Sequence, residues 1–299
     1  MSRGERWAGV ELGGTKTIVV LATGDRIVER CSIPTTMPDD VLAAAVNQLA
    51  KWDAAAPLDG IGIASFGPVR LDSTAVDYGC VLDTPKPNWS GAAVLPAIAK
   101  RFDCPIAIDT DVSAAALAEF RWGAGRGCDV LTYVTIGTGI GGGTLVHSHS
   151  IRGRLHPEVG HLVLRRAIDD DFSGTCPFHG DCIEGLVSGP ALAKRFGEEP
   201  SLVAAADPRW NFVAQDLAQF FATLVLAYAP QRIVIGGGVG LGISWLLPMT
   251  INRLERVLGA YYPDLDVANL RRLLVSASLG QHAGPLGAIA LAQTARDPT

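Results

Sequence analysis

The chain has 299 residues, enough for one large domain or two of ordinary size. A formal net charge of -5 without any basic block argues against nucleic acid as a partner. Although 48% of the residues are hydrophobic, no apolar run reaches the roughly 18 residues of a membrane span. The start "MSRGERWAGVELGG" lacks the apolar core of a secretion signal, so a cytosolic protein without membrane contact is expected.

The first element is "WAGVELGGTKTIVVLAT". Its β-branched run from Thr17 to Leu21 predicts a strand, so Gly13 and Gly14 stand at a tight turn between two strands. Gly9 and Gly14 have the spacing of a Walker loop, but Thr15 stands where its lysine belongs and a strand follows instead of a helix. The Walker reading is rejected. The turn can still offer backbone N–H groups and the Thr15 hydroxyl to a phosphate; an ordinary hairpin turn is the plainer alternative. Apolar spacing predicts a helix over 40–52. "GIGIASFGPVRLD" reads as a strand and then a loop. "PIAIDTDVSAAALAEFRWG" reads as a strand, the acidic residues Asp109 and Asp111, and a helix over 111–121. A domain boundary is expected near residue 114.

"LTYVTIGTGIGGGTLVHS" repeats the strand–turn–strand design around Gly137, Thr138 and Gly139. A Rossmann unit would need a helix next, and "GTLVHS" is extended. Two such hairpins suggest two duplicated halves. Further on, Ile233 to Ile235 form a buried strand ending in Gly236, Gly237 and Gly238, where a flat group could lie against backbone, or where an ordinary loop could lead to a helix. Helices are also predicted over 188–196, 213–229, 243–259 and 284–295.

Between these parts lies "EVGHLVLRRAIDDDFSGTCPFHGDCIEG". His161, Cys176, His179 and Cys182 supply the four N or S ligands of a closed, structural zinc site, and three of them sit within seven residues. Pro177 and Gly180 suit the turn required. The alternative is a loop with two free thiols. Cys31, Cys80, Cys104 and Cys128 are scattered and read as reduced core thiols.

In this order from Gly9 to about Ala292, "GVELGGTK", "GIGIASFGPV", "TPKPNW", "DTDVSAAALAE", "IGTGIGGG", "HPEVGH", "CPFHGDCIEG", "VIGGGV" and "GQHAGPLGAIALA" resemble the ROK family of sugar kinases. The glutamate of "VELGGTK", with "TPKPNW", "DTDV" and "CPFHGDC", is most similar to the bacterial fructokinases of that family. Three positions depart from the pattern. Asn88 replaces the glycine of "PKPGW", Leu12 replaces a common alanine, and Thr110 holds the place of a glucokinase asparagine that touches sugar. The exact hexose stays open, with glucokinase or mannokinase as the alternative.

The resemblance implies an α/β, actin-like ATPase (ribonuclease H-like) fold of two duplicated α/β domains with a cleft between them. The smaller covers 1–114, with a C-terminal helix about 285–299 packed back on it; the larger, with the zinc loop, covers 115–284. It implies a homodimer that transfers the γ-phosphoryl of ATP to the 6-hydroxyl of fructose. Asp111 would be the general base, favoured in its ionised form by the helix N-terminus. Gly13, Gly14 and Thr15 would face one side of the triphosphate, Gly137, Thr138 and Gly139 the other, and Gly236, Gly237 and Gly238 the adenosine. Lys16 could add charge there, although a plain surface lysine is the stronger reading. Glu11 would orient the water shell of Mg²⁺. Asn88, Thr110, Glu158, His161 and Glu184 would bind the sugar, with zinc fixing the loop around the last three. ROK repressors carry an N-terminal helix-turn-helix, for which too few residues precede Ala8 here.

Overall fold

The structure, a computed structural model, describes residues 4–296. Positions 1–3, and the final 297–299 of the expected C-terminal helix, lie outside the described residues. The chain forms two compact units. One comprises Met1–Trp122, His149–Pro157 and Gln281–Thr299; the other comprises Gly123–Ser148 and Glu158–Gly280.

In the first unit, β1 (Arg6–Leu12), β2 (Lys16–Thr23) and β3 (Arg26–Pro34) run antiparallel, and β4 (Gly60–Ser65) and β5 (Ile106–Thr110) extend the sheet in parallel beyond β1. The order is β3-β2-β1-β4-β5. Both faces of β1 and β4 are covered, which explains why these strands read as continuous apolar runs instead of alternating. Ala8, Val10 and Leu12 join the core beneath α1 (Pro38–Ala55) and α2 (Val94–Ala99). Trp7, Ile18 and Val20 join Ile289 and Ala292 of α10 (Ala283–Arg296) on the other face. There the helix comes close to the sheet. A Cβ at Gly9 would lie 2.8 Å from the Ala288 Cβ, and one at Gly62 only 1.9 Å from the Ala288 carbonyl oxygen. Gly9, which suggested a Walker spacing, is therefore a packing glycine. Gly62→Ala is expected to lower Tm by at least about 4 °C in a thermal melt, since backbone must move to admit the methyl.

α3 (Asp111–Trp122) also lies against α10, with the Gly287 Cα so near Ala114 that a Cβ would meet its carbonyl oxygen at 2.3 Å. The whole of α3 thus belongs to the first unit, and the chain leaves that unit at Trp122, past the position near 114 read from the sequence.

In the second unit, β6 (Val130–Ile136) and β7 (Ile140–Val146) form the second hairpin. β6 pairs in parallel with the strand Arg232–Gly236, and that strand with Leu274–Ser276. The helices are α4 (Ile183–Val187), α5 (Gly189–Phe196), α6 (Trp210–Tyr228), α7 (Gly238–Gly242), α8 (Leu246–Leu258) and α9 (Val267–Leu273). Their core includes Trp210, Phe220, Phe221, Leu254 and Leu270. Two expectations need correcting. The helix read over 188–196 starts after Ser188, whose hydroxyl caps α5 at Ala191 N–H. The helix read over 243–259 starts only at Leu246, with the glycine-rich α7 standing apart before it. Among the described residues, no helix is long and apolar enough to cross a membrane.

Candidate active site

In the first unit, the β1–β2 turn is closed by Gly13 N–H donating to the Lys16 carbonyl at 3.2 Å. Only glycine fits position 13, since a Cβ would lie 2.7 Å from that oxygen. Thr35 braces the turn from β3's far end: its hydroxyl donates to the Gly13 carbonyl (2.9 Å) and its N–H to the Thr15 carbonyl (2.9 Å). Among the described residues, the N–H groups of Gly14 and Thr15 have no acceptor. The turn therefore presents donors outward, as an anion-binding concavity does. Lys16 is the first, exposed residue of β2. Glu11 lies on β1 just before the turn, and its carboxylate fills the space that a side chain at Gly284 would take. Burial pushes the Glu11 carboxyl up, against the pull of Arg30 and Lys16.

Asp111 is the first residue of α3, and its carboxylate accepts the Val112 N–H at 2.9 Å. The helix cap is a different residue. Thr110 Oγ1 accepts the Ser113 N–H at 3.1 Å and donates to Ser113 Oγ at 2.9 Å. Thr110 is only 3% exposed, so its hydroxyl is engaged in the cap instead of being presented to a sugar. Asp109, equally buried, accepts the Thr110 N–H at 2.7 Å and the Ser150 hydroxyl. Asn88 has φ 69, the left-handed region that glycine favours and asparagine tolerates best among other residues, which accounts for asparagine replacing the usual glycine.

In the second unit, the 137–139 turn is held by Gly137 N–H to the Gly139 carbonyl (2.9 Å) and Gly189 N–H to the Gly137 carbonyl (2.7 Å). Thr138 is exposed at its tip. The 236–238 segment lies beside it: a Cβ on Gly137 would be 3.7 Å from Gly238 N. Gly237, with φ 83, passes so near Ile136 that a Cβ would meet its carbonyl oxygen at 2.3 Å. The Glu184 carboxylate reaches the same turn and accepts Ile140 N–H at 2.9 Å. Burial, and then the charge of Glu184, push the Glu158 carboxyl up to about 7.

Next to these carboxylates, His161 Nδ1 lies 3.6 Å from Cys182 Sγ and 3.8 Å from Cys176 Sγ, and His179 Nδ1 lies 3.8 Å from Cys176 Sγ. The four ligand atoms all lie within 4.8 Å of one another. Zinc bonds of about 2.0–2.3 Å at tetrahedral angles put ligand atoms about 3.3–3.8 Å apart, so the set is close to closing on one ion. Both cysteines are buried, and burial pushes the Cys182 thiol up to about 11, with Cys176 and Glu184 adding to the rise. A cation at the centre would reverse that penalty. The His161 N–H donates to the Glu158 carbonyl at 3.0 Å, and Cys182 leads directly into α4, which carries Glu184.

The sequence reading missed Thr35 altogether, and "SIPTTMP" carries no signal that would have found it. Lys86 was in view within "TPKPNW" but received no role.

The profile of the ROK family matches residues 7–295. A fructokinase of Zymomonas mobilis is 40% identical, with 96% of each chain covered. A fructokinase of Pediococcus pentosaceus is 37% identical, over 96% of this chain and 97% of that one. The crystal structure of a ROK hexokinase from Thermus thermophilus superposes with a TM-score of 0.79 at 26% identity, over 98% of this chain and 100% of the other.

Proposed function

The chain belongs to the ROK family, whose kinases have the actin-like ATPase fold, and we infer that it is an ATP-dependent fructokinase in which Asp111 is the general base. Identities of 37–40% to fructokinases across nearly the whole chain support the sugar. The arrangement at the head of α3 supports the base: Thr110 caps the helix, so Asp111 is not needed for that purpose.

Phosphoryl transfer passes through a loose transition state, so the protein chiefly positions groups and offsets charge. Asp111 accepts the proton of the fructose 6-hydroxyl as that oxygen bonds to the γ-phosphorus and the bond to the β-phosphate oxygen breaks. Gly14 N–H, Thr15 N–H and the Thr15 hydroxyl donate to phosphate oxygens in the first unit. Gly137, Thr138 and Gly139 do so in the second, with Gly236, Gly237 and Gly238 along the adenosine. Glu11 would hold a Mg²⁺ ion through water, and the ion would offset phosphate charge. Glu158 and Glu184 bind sugar hydroxyls. His161, Cys176, His179 and Cys182 would hold a structural zinc ion. With Nδ1 facing the thiols, His161 keeps Nε2 for the sugar.

A coupled assay over fructose, glucose and mannose tests the assignment. The expected kcat/KM for fructose exceeds that for glucose at least tenfold, because a site built around particular hydroxyls rejects sugars that lack them. A higher value for glucose would move the chain to the glucokinases of the same family.

A further inference from the structure

We propose that Lys86 is the cation of the first phosphate turn: its ammonium holds the Gly14 carbonyl and contacts the γ-phosphoryl group during transfer. This rests on reading the 13–15 turn as the triphosphate site.

The turn has donors and no cation of its own, since Thr15 stands where a Walker lysine would be. Two lysines are near. Lys16 is exposed at the start of β2 and its charge acts on Glu11. Lys86 donates from Nζ to the Gly14 carbonyl, and its ammonium lies 5.7 Å from the centre of the Phe66 ring. Among the described residues it has no carboxylate partner. An ammonium has three donors. One is engaged by Gly14, and two remain at the mouth of a turn whose N–H groups lack acceptors.

With Lys86 in place, every carbonyl of the turn is taken: Gly13 and Thr15 by Thr35, and Gly14 by Lys86. An unpaired carbonyl beside a phosphate would repel it. Removing that repulsion while adding a positive charge favours the γ-phosphate twice over.

Lys86 is held where it is by its own loop. The Trp89 side chain is fully buried, sets its ring edge-on against Phe66 at 5.0 Å, and donates from Nε1 to the Thr36 carbonyl at 2.9 Å. Thr36 is the neighbour of Thr35, which braces the turn. Lys86 N–H donates to Thr84 Oγ1 at 3.3 Å, and Trp89 N–H to the Lys86 carbonyl at 3.3 Å. The lysine loop and the phosphate turn are thus one hydrogen-bonded piece, which is the preorganisation that charge stabilisation requires.

The test is Lys86→Met beside Lys86→Arg, with binding of Mg·AMP-PNP and Mg·ADP by calorimetry, fructose kinetics and Tm. Lys86→Met should weaken AMP-PNP at least about tenfold and ADP less than about threefold, and should lower kcat about 10²-fold with fructose KM nearly unchanged. Lys86→Arg should recover much of both losses. Equal weakening of the two nucleotides, or a fall in Tm alone, would make Lys86 a loop anchor and overturn the proposal. A shift in fructose KM without a nucleotide effect would overturn it as well, by placing Lys86 on the sugar. Should Lys86→Met prove unfolded, the arginine variant decides alone: the proposal requires it to keep the wild-type ratio of AMP-PNP to ADP affinity, and a ratio lost without loss of folding overturns it. If fructokinase activity itself is misassigned, wild-type protein will not turn over fructose, while the nucleotide comparison still reads on Lys86.

Discussion

Asp111→Asn should leave a folded protein that still binds fructose and ATP, with kcat reduced at least about a hundredfold. A positioned base contributes about 10²–10⁴ in rate. The competing view makes Asp111 a helix cap, whose loss costs about 0.5–2 kcal/mol of stability and little turnover. Asparagine is a fair substitute in that role and can still accept the Val112 N–H, but it cannot take a proton. The geometry sharpens the contrast, because Thr110 already accepts the Ser113 N–H. Thr110→Val should therefore lower Tm with kcat within about threefold, and Asp111→Asn should do the reverse. Near-normal kcat in Asp111→Asn would remove the base from this position. Asp109 is a poor successor, since it is 4% exposed and both its oxygens are engaged, by Thr110 N–H and the Ser150 hydroxyl.

Much of this could be read before the structure, and the exceptions have physical reasons. The hairpins were legible because β-branched runs flank short glycine turns, a pattern that needs no distant partner. The cluster of His161, Cys176, His179 and Cys182 was legible because three of its four residues are close in sequence. Element ends were less so. Ser188 reads as an ordinary helix residue, and only its hydroxyl on Ala191 N–H shows it to be a cap. Thr110 was assigned to the sugar from the position of a family asparagine, whereas its burial and its bond to Ser113 are products of how β5 turns into α3. Gly9 and Gly62 look alike in sequence to the glycines of the 13–15 and 137–139 turns. Their reason for being glycine is α10, more than two hundred residues further on. Lys86 and Thr35 meet the 13–15 turn from loops that follow other strands, so no local pattern could join them.

Cys182→Ser should cost the protein its zinc, several degrees of Tm and much of its sugar affinity together. Structural zinc binds with about 10–16 kcal/mol in peptides that fold only around it. Here the loop has other supports: Arg166 pairs with Asp170 at 2.7 Å and Asp181 at 3.2 Å, and Val163 bridges to Cys182 through backbone. Only part of the metal's binding energy therefore reaches global stability. A share of about 3 kcal/mol corresponds to a fall in Tm of roughly 6–12 °C. The effect on sugar follows from two short links. The His161 N–H holds the Glu158 carbonyl, and Cys182 sits two residues before Glu184 at the head of α4. A loosened centre lets both carboxylates drift, and about 0.5 Å of slack is enough to degrade a site. Fructose KM should rise at least about tenfold. Cys104→Ser is the control for losing a thiol as such, because Cys104 is half-buried in the other unit and is not one of the four cluster residues. It should keep zinc near one equivalent per chain and KM near wild type. Wild-type protein with well under half an equivalent of zinc and full activity would remove the metal from this account, and the four side chains would then be a packed cluster of two thiols and two imidazoles.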